Sequence, residues 1–417
     1  MNAPATRLAR RLGTTDAVSV GLGAMIGAGV FSAFGPAARA AGNAFVVGLA
    51  IAALVAWCNA LSSARLAALY PQSGGAYVYG RERLGPLWGF IAGWGFIVGK
   101  LASCAAMALT FGSYAAPELA RPLAVGAVVV VTAVDYFGVH KTALATRIIV
   151  VVVLAVLATV VAAVWLGGAA DASRVLPLHA PSLGGVLESA GLLFFAFAGY
   201  ARIATLGEEV KDPARTLPRA IPIALGITLF VYAAVALSAV AGAGADALAQ
   251  SGTPLVTAIE GGTLRALAPL VRVGAAVAAL GVLLSLIVGV SRTTFAMAAN
   301  HDLPKTLAVV HPRHHIPHRA ELAVGAIVAI VAALVDLRGA IGFSSFAVLG
   351  YYAITNAAAF TLGAGRTRVV AVMGLGGCVT LAATLPLASV LGGSIVLATG
   401  ALVFALTRRP ARPVART

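Results

Sequence analysis

Charged residues are scarce in this chain. Asp, Glu, Lys and Arg make up only 10% of its 417 residues, whereas a soluble globular protein carries about 25%. Hydrophobic residues make up 60%, and the mean hydropathy is +0.97. Such a chain cannot cover itself with polar side chains, so its outer surface must face lipid. A soluble enzyme or binding domain is therefore excluded.

Cysteines and paired carboxylates are also lacking. Cys58, Cys104 and Cys378 lie far apart in apolar runs, which leaves no disulfide framework and no zinc spacing. Every carboxylate falls in a loop or at a predicted helix end, so the spans offer no paired carboxylates, no Ser/His set and no metal ligands. The sequence therefore predicts no enzyme and no cofactor. The histidine-rich loop at 311–318 lacks an organised ligand spacing and predicts no metal site either.

Long apolar segments fill the chain. A helix needs about 20 apolar residues to cross a bilayer, and the sequence predicts an all-α integral membrane protein with 12 transmembrane helices and no soluble domain between them. The predicted spans are 15–40, 43–66, 86–113, 122–138, 143–167, 186–207, 218–242, 268–297, 320–336, 340–363, 367–385 and 388–407.

The basic residues predict the orientation. Of the 29 Lys and Arg residues, 21 fall on the side of the N-terminus, six on the opposite side, and two, Lys100 and Arg202, within spans. Positive charge marks cytoplasmic loops, so both tails, 1–14 and 408–417, are expected in the cytoplasm of a cell-membrane protein. The net charge of +15 then orients the protein in the lipid bilayer, and no nucleic-acid partner is needed.

A glycine-rich stretch, GLGAMIGAGVF, occupies residues 21–31. Its glycine spacing and the lack of a nearby acidic residue miss the dinucleotide fingerprint. Close helix packing is one remaining interpretation. The other is a helix that unwinds at Gly27, Ala28 and Gly29, because bared backbone groups survive in a membrane only where they line a polar cavity. The half-helix starting near Val30 would then offer N–H donors to a carboxylate.

A second interruption is predicted in the sixth span, where Gly199 lies between Phe197 and Tyr200. Span one opens a first set of five helices, and span six opens a second. Matched interruptions in two repeats are a sequence sign of a transporter site near the bilayer midplane.

Four motifs in this order resemble the amino acid–polyamine–organocation transporters, and in particular their bacterial amino acid permeases. The motifs are GAMIGAGVF (23–31), YPQSGGAYVYGRERLG (70–85), FFAFAGY followed by EEVKDPARTLPRAI (194–221), and SRTTFAMAANHDLP (291–304). The resemblance implies a secondary active transporter that works by alternating access. It also implies inverted repeats at 15–167 and 186–363, with accessory helices at 367–407.

The resemblance also implies a substrate site. Backbone N–H groups of Ile26, Gly27, Ala28 and Gly29 would hold the substrate carboxylate, and carbonyls near Gly199 would hold its amino group. The residues of this second set are Phe195, Ala196 and Ala198, with Phe195 also capping the substrate. Ala201 stands where many relatives carry a carboxylate, and Val153 where many carry a lysine. The usual coupling residue is therefore absent, and the possible coupling ion is a proton or none.

Charges in or beside the spans are further candidates. Lys100 is either a structural partner of freed carbonyls or a coupling charge. Arg202 bonds to helix-end carbonyls or pairs with Glu208 or Glu209, or else it contacts the substrate. Glu208 and Glu209 form a cytoplasmic gate or belong to a solvated loop. A cation at the site favours a neutral amino acid substrate. The alternatives are an acidic amino acid, another small organic amine, or a transporter-like nutrient sensor; no obligatory protein partner is evident.

Overall fold

The computed structural model describes residues 12–71, 74–137, 143–200, 203, 210–314 and 316–407. Within them every regular element is a helix, apart from one isolated bridge between Leu12 and Val210. The helices of the first half of the chain are α1 (Thr14–Met25), α2 (Ala28–Ser32), α3 (Phe34–Ala41), α4 (Phe45–Leu69), α5 (Ala76–Leu84), α6 (Pro86–Ala115), α7 (Ala120–Tyr136), α8 (Ala143–Leu166) and α9 (Leu183–Phe197).

The second half of the chain is also built mainly from apolar helices. It contains α10 (Pro213–Ala243), α11 (Ala245–Gln250), α12 (Pro254–Glu260), α13 (Ala268–Ala299), α14 (His318–Leu334), α15 (Leu337–Phe360), α16 (Arg366–Thr384) and α17 (Leu387–Thr407). The last two helices bury few of their residues against the rest of the protein and lie at its periphery.

Eleven helical stretches of the described chain are long and apolar enough to cross a membrane. The span predicted at 320–336 is α14, which has 17 residues. At 1.5 Å per residue it is about 25 Å long, at the lower limit for a crossing. The protein is thus a multi-pass helical membrane protein.

Helix α6 lies at the centre of the bundle. Most of its 30 residues are buried, and it packs against α5, α13 and α15. The interrupted segment α1–α2 packs against α9, α10 and α13. This arrangement places the glycine-rich stretch in the interior of the protein rather than against lipid.

Candidate functional site

The first predicted span is interrupted. Helix α1 ends at Met25 and α2 begins at Ala28, and between them Ile26 (ψ 76°) and Gly27 (ψ −150°) leave the helical conformation. The interruption thus lies earlier in the chain than predicted, since the sequence predicts unwinding at Gly27–Gly29 and a half-helix from near Val30. Ala28 is a strong helix former, and the helix already resumes there and includes Gly29.

The sixth span also changes conformation at the predicted place. Helix α9 ends at Phe197 and is followed by a 3₁₀ turn over Ala198–Tyr200. A Cβ atom on Gly199 would lie 2.2 Å from the carbonyl oxygen of Ala24, and one on Gly29 would lie 2.9 Å from Cα of Ala196. Both glycines are therefore needed because backbone of the two interrupted segments meets there. Arg202, Glu208 and Glu209 lie outside the described residues.

One tyrosine connects the two interrupted helices. The Tyr232 hydroxyl of α10 lies 2.5 Å from the carbonyl oxygen of Met25 and 3.1 Å from that of Ala196. Its single proton is shared between these two acceptors. The residue is completely buried. In the sequence, Tyr232 is simply a tyrosine within an apolar span, and this does not predict which groups its hydroxyl contacts.

A cavity of about 600 Å³ lies where the two interruptions meet. It brings together seven of the predicted site residues. These are Gly27, Gly29, Lys100, Phe195, Ala196, Ala198 and Gly199. Ile26 does not line the cavity, because its side chain is buried in the apolar core and its amide donates to the carbonyl oxygen of Leu22 (2.7 Å). Ala28 begins α2. The remaining wall is mostly apolar and includes Phe96, Met107, Val282, Leu286 and Val290.

Positive charge dominates the ionisable lining of the cavity. Lys100 is only 7% exposed, and its Nζ atom lies 5.9 Å from the ring centroid of Phe96. Arg292 of α13 lines the cavity as well. Neither side chain forms an ion pair with a carboxylate of the described residues. An anionic group of a ligand would meet the buried Lys100, which has no carboxylate partner among the described residues.

The cavity is open at the end of the bundle that carries α5. Its lining there includes Glu82, Ala296 and Asn300, which are exposed. Toward the other end of α6, the buried Tyr114 hydroxyl donates to the carbonyl oxygen of Phe31 (2.8 Å) and accepts from the Leu255 amide (3.4 Å). Tyr114 thus joins α6 to α2 and α12 beyond the cavity.

A polar cluster borders the open end. The Tyr77 hydroxyl donates to Oδ2 of Asp302 (2.7 Å), and the Arg81 guanidinium contacts the same oxygen at 2.5 Å. Burial and the adjacent Asp302 raise the pKa of Tyr77 to about 12, so the hydroxyl remains a donor at physiological pH. Asn300 also donates to Tyr77. These contacts join α5 to the segment that follows α13.

The expectation that the spans hold no paired carboxylates is wrong. Asp135 in the last turn of α7 and Glu321 in the first turn of α14 are each only 2% exposed, and their carboxyl groups are close enough to interact electrostatically. Both residues are near helix ends, as the sequence indicates. However, the loop at 303–317 covers these ends, and Tyr136 packs on His311 and His314 within it.

The amino acid permease family matches residues 12–409, which is nearly the whole chain. The chain belongs to this family. The resemblance to amino acid–polyamine–organocation transporters is thereby confirmed, as is the prediction that the protein is not an enzyme.

Several transporters are similar to this permease along most of its length. It is 60% identical over 404 residues to uncharacterized transporters of Mycobacterium tuberculosis and Mycobacterium bovis, with 96% of this chain and 92% of each relative covered. It is 27% identical over 381 residues to the branched-chain amino acid permease BcaP of Bacillus subtilis (85% and 81% covered). It is 28% identical over 379 residues to the human cationic amino acid transporter 4 (83% and 59% covered).

Proposed function

We propose that this permease is a secondary active transporter that carries neutral amino acids across the cell membrane by alternating access. The observation that carries the proposal is the cavity at the junction of the two helix interruptions. In a membrane interior, bared peptide groups persist where they line a cavity for a polar ligand, and an amino acid zwitterion needs both donors and acceptors.

The substrate carboxylate binds at the start of α2 in this proposal. The N–H groups of Ala28 and Gly29 lie in the first turn, where no intrahelical acceptor exists, whereas the Gly27 amide already donates to Met25 (2.8 Å). The amino group binds carbonyls at the end of α9. The carbonyl oxygen of Ala196 accepts from Tyr232, and its second lone pair remains for the substrate.

The charges of the cavity support a neutral substrate over a cationic one. Lys100 is buried, so it would strongly repel a second positive charge on the substrate, and Arg292, which is exposed, would add a weaker repulsion. Lys100 also gives specific support to a second candidate, an acidic amino acid whose side-chain carboxylate would pair with it.

The wider architecture follows the family resemblance. We propose twelve spans, two inverted repeats of five helices, and both termini in the cytoplasm, so that the open end of the cavity faces the cytoplasm. Arg202, Glu208 and Glu209 remain candidates for charge balance and for a cytoplasmic gate. The proposed coupling ion is a proton.

Uptake into proteoliposomes tests the proposal. Leucine, serine, glutamate, arginine and putrescine are supplied as labelled substrates, with an imposed pH or sodium gradient. We expect accumulation or exchange of a neutral amino acid. Absence of transport of every amino acid in the panel would refute the proposal, and accumulation of glutamate alone would favour the second candidate.

A glycine pair provides the matched control. Gly27→Leu places Cβ 2.3 Å from Val282 and fills the cavity, whereas a Cβ on Gly126, in α7, meets nothing within 4 Å. We expect Gly27→Leu to insert into membranes normally and lose transport, and Gly126→Leu to retain both properties. Wild-type uptake by Gly27→Leu would exclude this cavity as the substrate site.

A further inference from the structure

The buried carboxyl pair of Asp135 and Glu321 lies outside the substrate cavity. Within the described chain, Oδ2 of Asp135 and Oε2 of Glu321 are buried and receive no hydrogen bond. Two ionised carboxylates buried beside each other repel each other strongly, and burial disfavours both charges. One proton held between them removes the repulsion and gives each carboxyl a partner.

The two helices that carry the pair are tightly packed beside it. Thr132 lies one turn before Asp135 on α7, is 8% exposed, and its Oγ1 atom has no partner among the described residues. A Cβ atom on Gly325, one turn after Glu321, would lie 2.5 Å from this Oγ1 atom. Helices α7 and α14 are thus in close contact beside the pair. This leaves room for a proton more readily than for a metal ion with several oxygen ligands.

Arg292 connects the pair to the cavity. It lines the cavity from α13, and its positive charge also acts on Glu321. Helix α14 packs against α6, α7, α13 and the turn at 305–307. Asp135 and Arg292 act on Glu321. The other charged residues and histidines on these elements and in the first turn of α14 are Lys100, Arg121, Arg272, Lys305, His318 and Arg319.

We propose that Asp135 and Glu321 form the proton-binding site of this transporter, and that Arg292 couples its occupancy to the substrate cavity. This inference rests on the proposed transport function. In the loaded state the Glu321 carboxylic acid donates its O–H to the Asp135 carboxylate. On release, the O–H bond breaks, the proton passes to water at the open end, and the two carboxylates attract the Arg292 guanidinium away from the cavity.

Two transport modes separate coupling from substrate binding. Counterflow exchanges one amino acid for itself and needs no gradient, whereas accumulation needs the proton. We expect Glu321→Gln and Asp135→Asn to retain counterflow and to lose at least tenfold of the accumulation driven by a pH gradient. Glu118→Gln, at an exposed position, should match the wild type in both.

The outcomes distinguish the two proposals. Wild-type counterflow combined with full pH-driven accumulation by Glu321→Gln would overturn the proton site and leave the transport function intact. If a sodium gradient drives accumulation and both variants lose it, the pair binds a metal cation and the proton site is wrong. Absence of all transport in the wild type would refute the proposed function.

A spectroscopic measurement tests the proton directly, without transport. Difference infrared spectra of the purified protein should contain a carboxylic C=O band that titrates with pH and disappears in Glu321→Gln. The band should persist in Glu118→Gln. If the wild type and Glu321→Gln give identical spectra across the titration, the pair holds no exchangeable proton and the inference is wrong.

Discussion

Gly199→Ala is the most informative single change in the substrate site. The added Cβ atom would lie 2.2 Å from the carbonyl oxygen, 2.4 Å from the carbonyl carbon of Ala24 and 2.7 Å from the Met25 nitrogen. These are backbone atoms, so no side chain can rotate away. The end of α1 and the turn after α9 must separate, and the donors and acceptors proposed for the substrate separate with them.

The magnitude follows from the cost of overpacking, which is about 1–3 kcal/mol. If this cost destabilises the conformation that binds the substrate, the affinity for the substrate decreases by about 5-fold to 150-fold. Equilibrium binding and uptake measure the change, with size-exclusion elution as the folding check. Gly226→Ala on α10 is the control, since its Cβ meets nothing within 4 Å. Unchanged affinity in Gly199→Ala would show that this close approach does not shape the site.

Three further changes test other contacts. Tyr232→Phe removes the donor shared by two buried carbonyls and should cost about 1–3 kcal/mol; an unchanged thermal unfolding midpoint in detergent would contradict this role. Lys100→Met should weaken the discrimination against arginine by about tenfold, because one positive charge leaves the cavity; competition assays measure the ratio, and an unaltered ratio argues against it. Asp302→Asn leaves Arg81 without its carboxylate and should lower the free energy of unfolding by about 2–5 kcal/mol. The thermal unfolding midpoint measures this change, and an unchanged midpoint would show that the cluster contributes little to stability.

The sequence predicts the presence of the helix interruptions better than their location. Glycines weaken a helix wherever they occur, so the stretch from Gly21 to Gly29 offers several places for a break. Tertiary packing selects among them. The chain leaves the helix at Ile26 and Gly27, where Met25 can present its carbonyl to Tyr232. Gly29 serves instead for the close approach to Ala196.

Long-range pairs are the part of the site that the sequence does not predict. Tyr77 and Asp302, or Asp135 and Glu321, are separated by more than 180 residues along the chain. Each pair forms because particular helix faces pack together. From the sequence, a carboxylate at a helix end is expected to be solvated. The packing of α7 on α14, which the sequence does not predict, places Asp135 and Glu321 in the buried interior.

The shared hydroxyl of Tyr232 has a mechanical consequence. Because it holds the terminus of α1 and the last turn of α9 at one point, these two segments are fastened to α10 as a unit. A tilt of α10 would move the donors and acceptors for the ligand together and preserve the distances between them. The cavity could then open toward the other side of the membrane while its contacts with the ligand are kept.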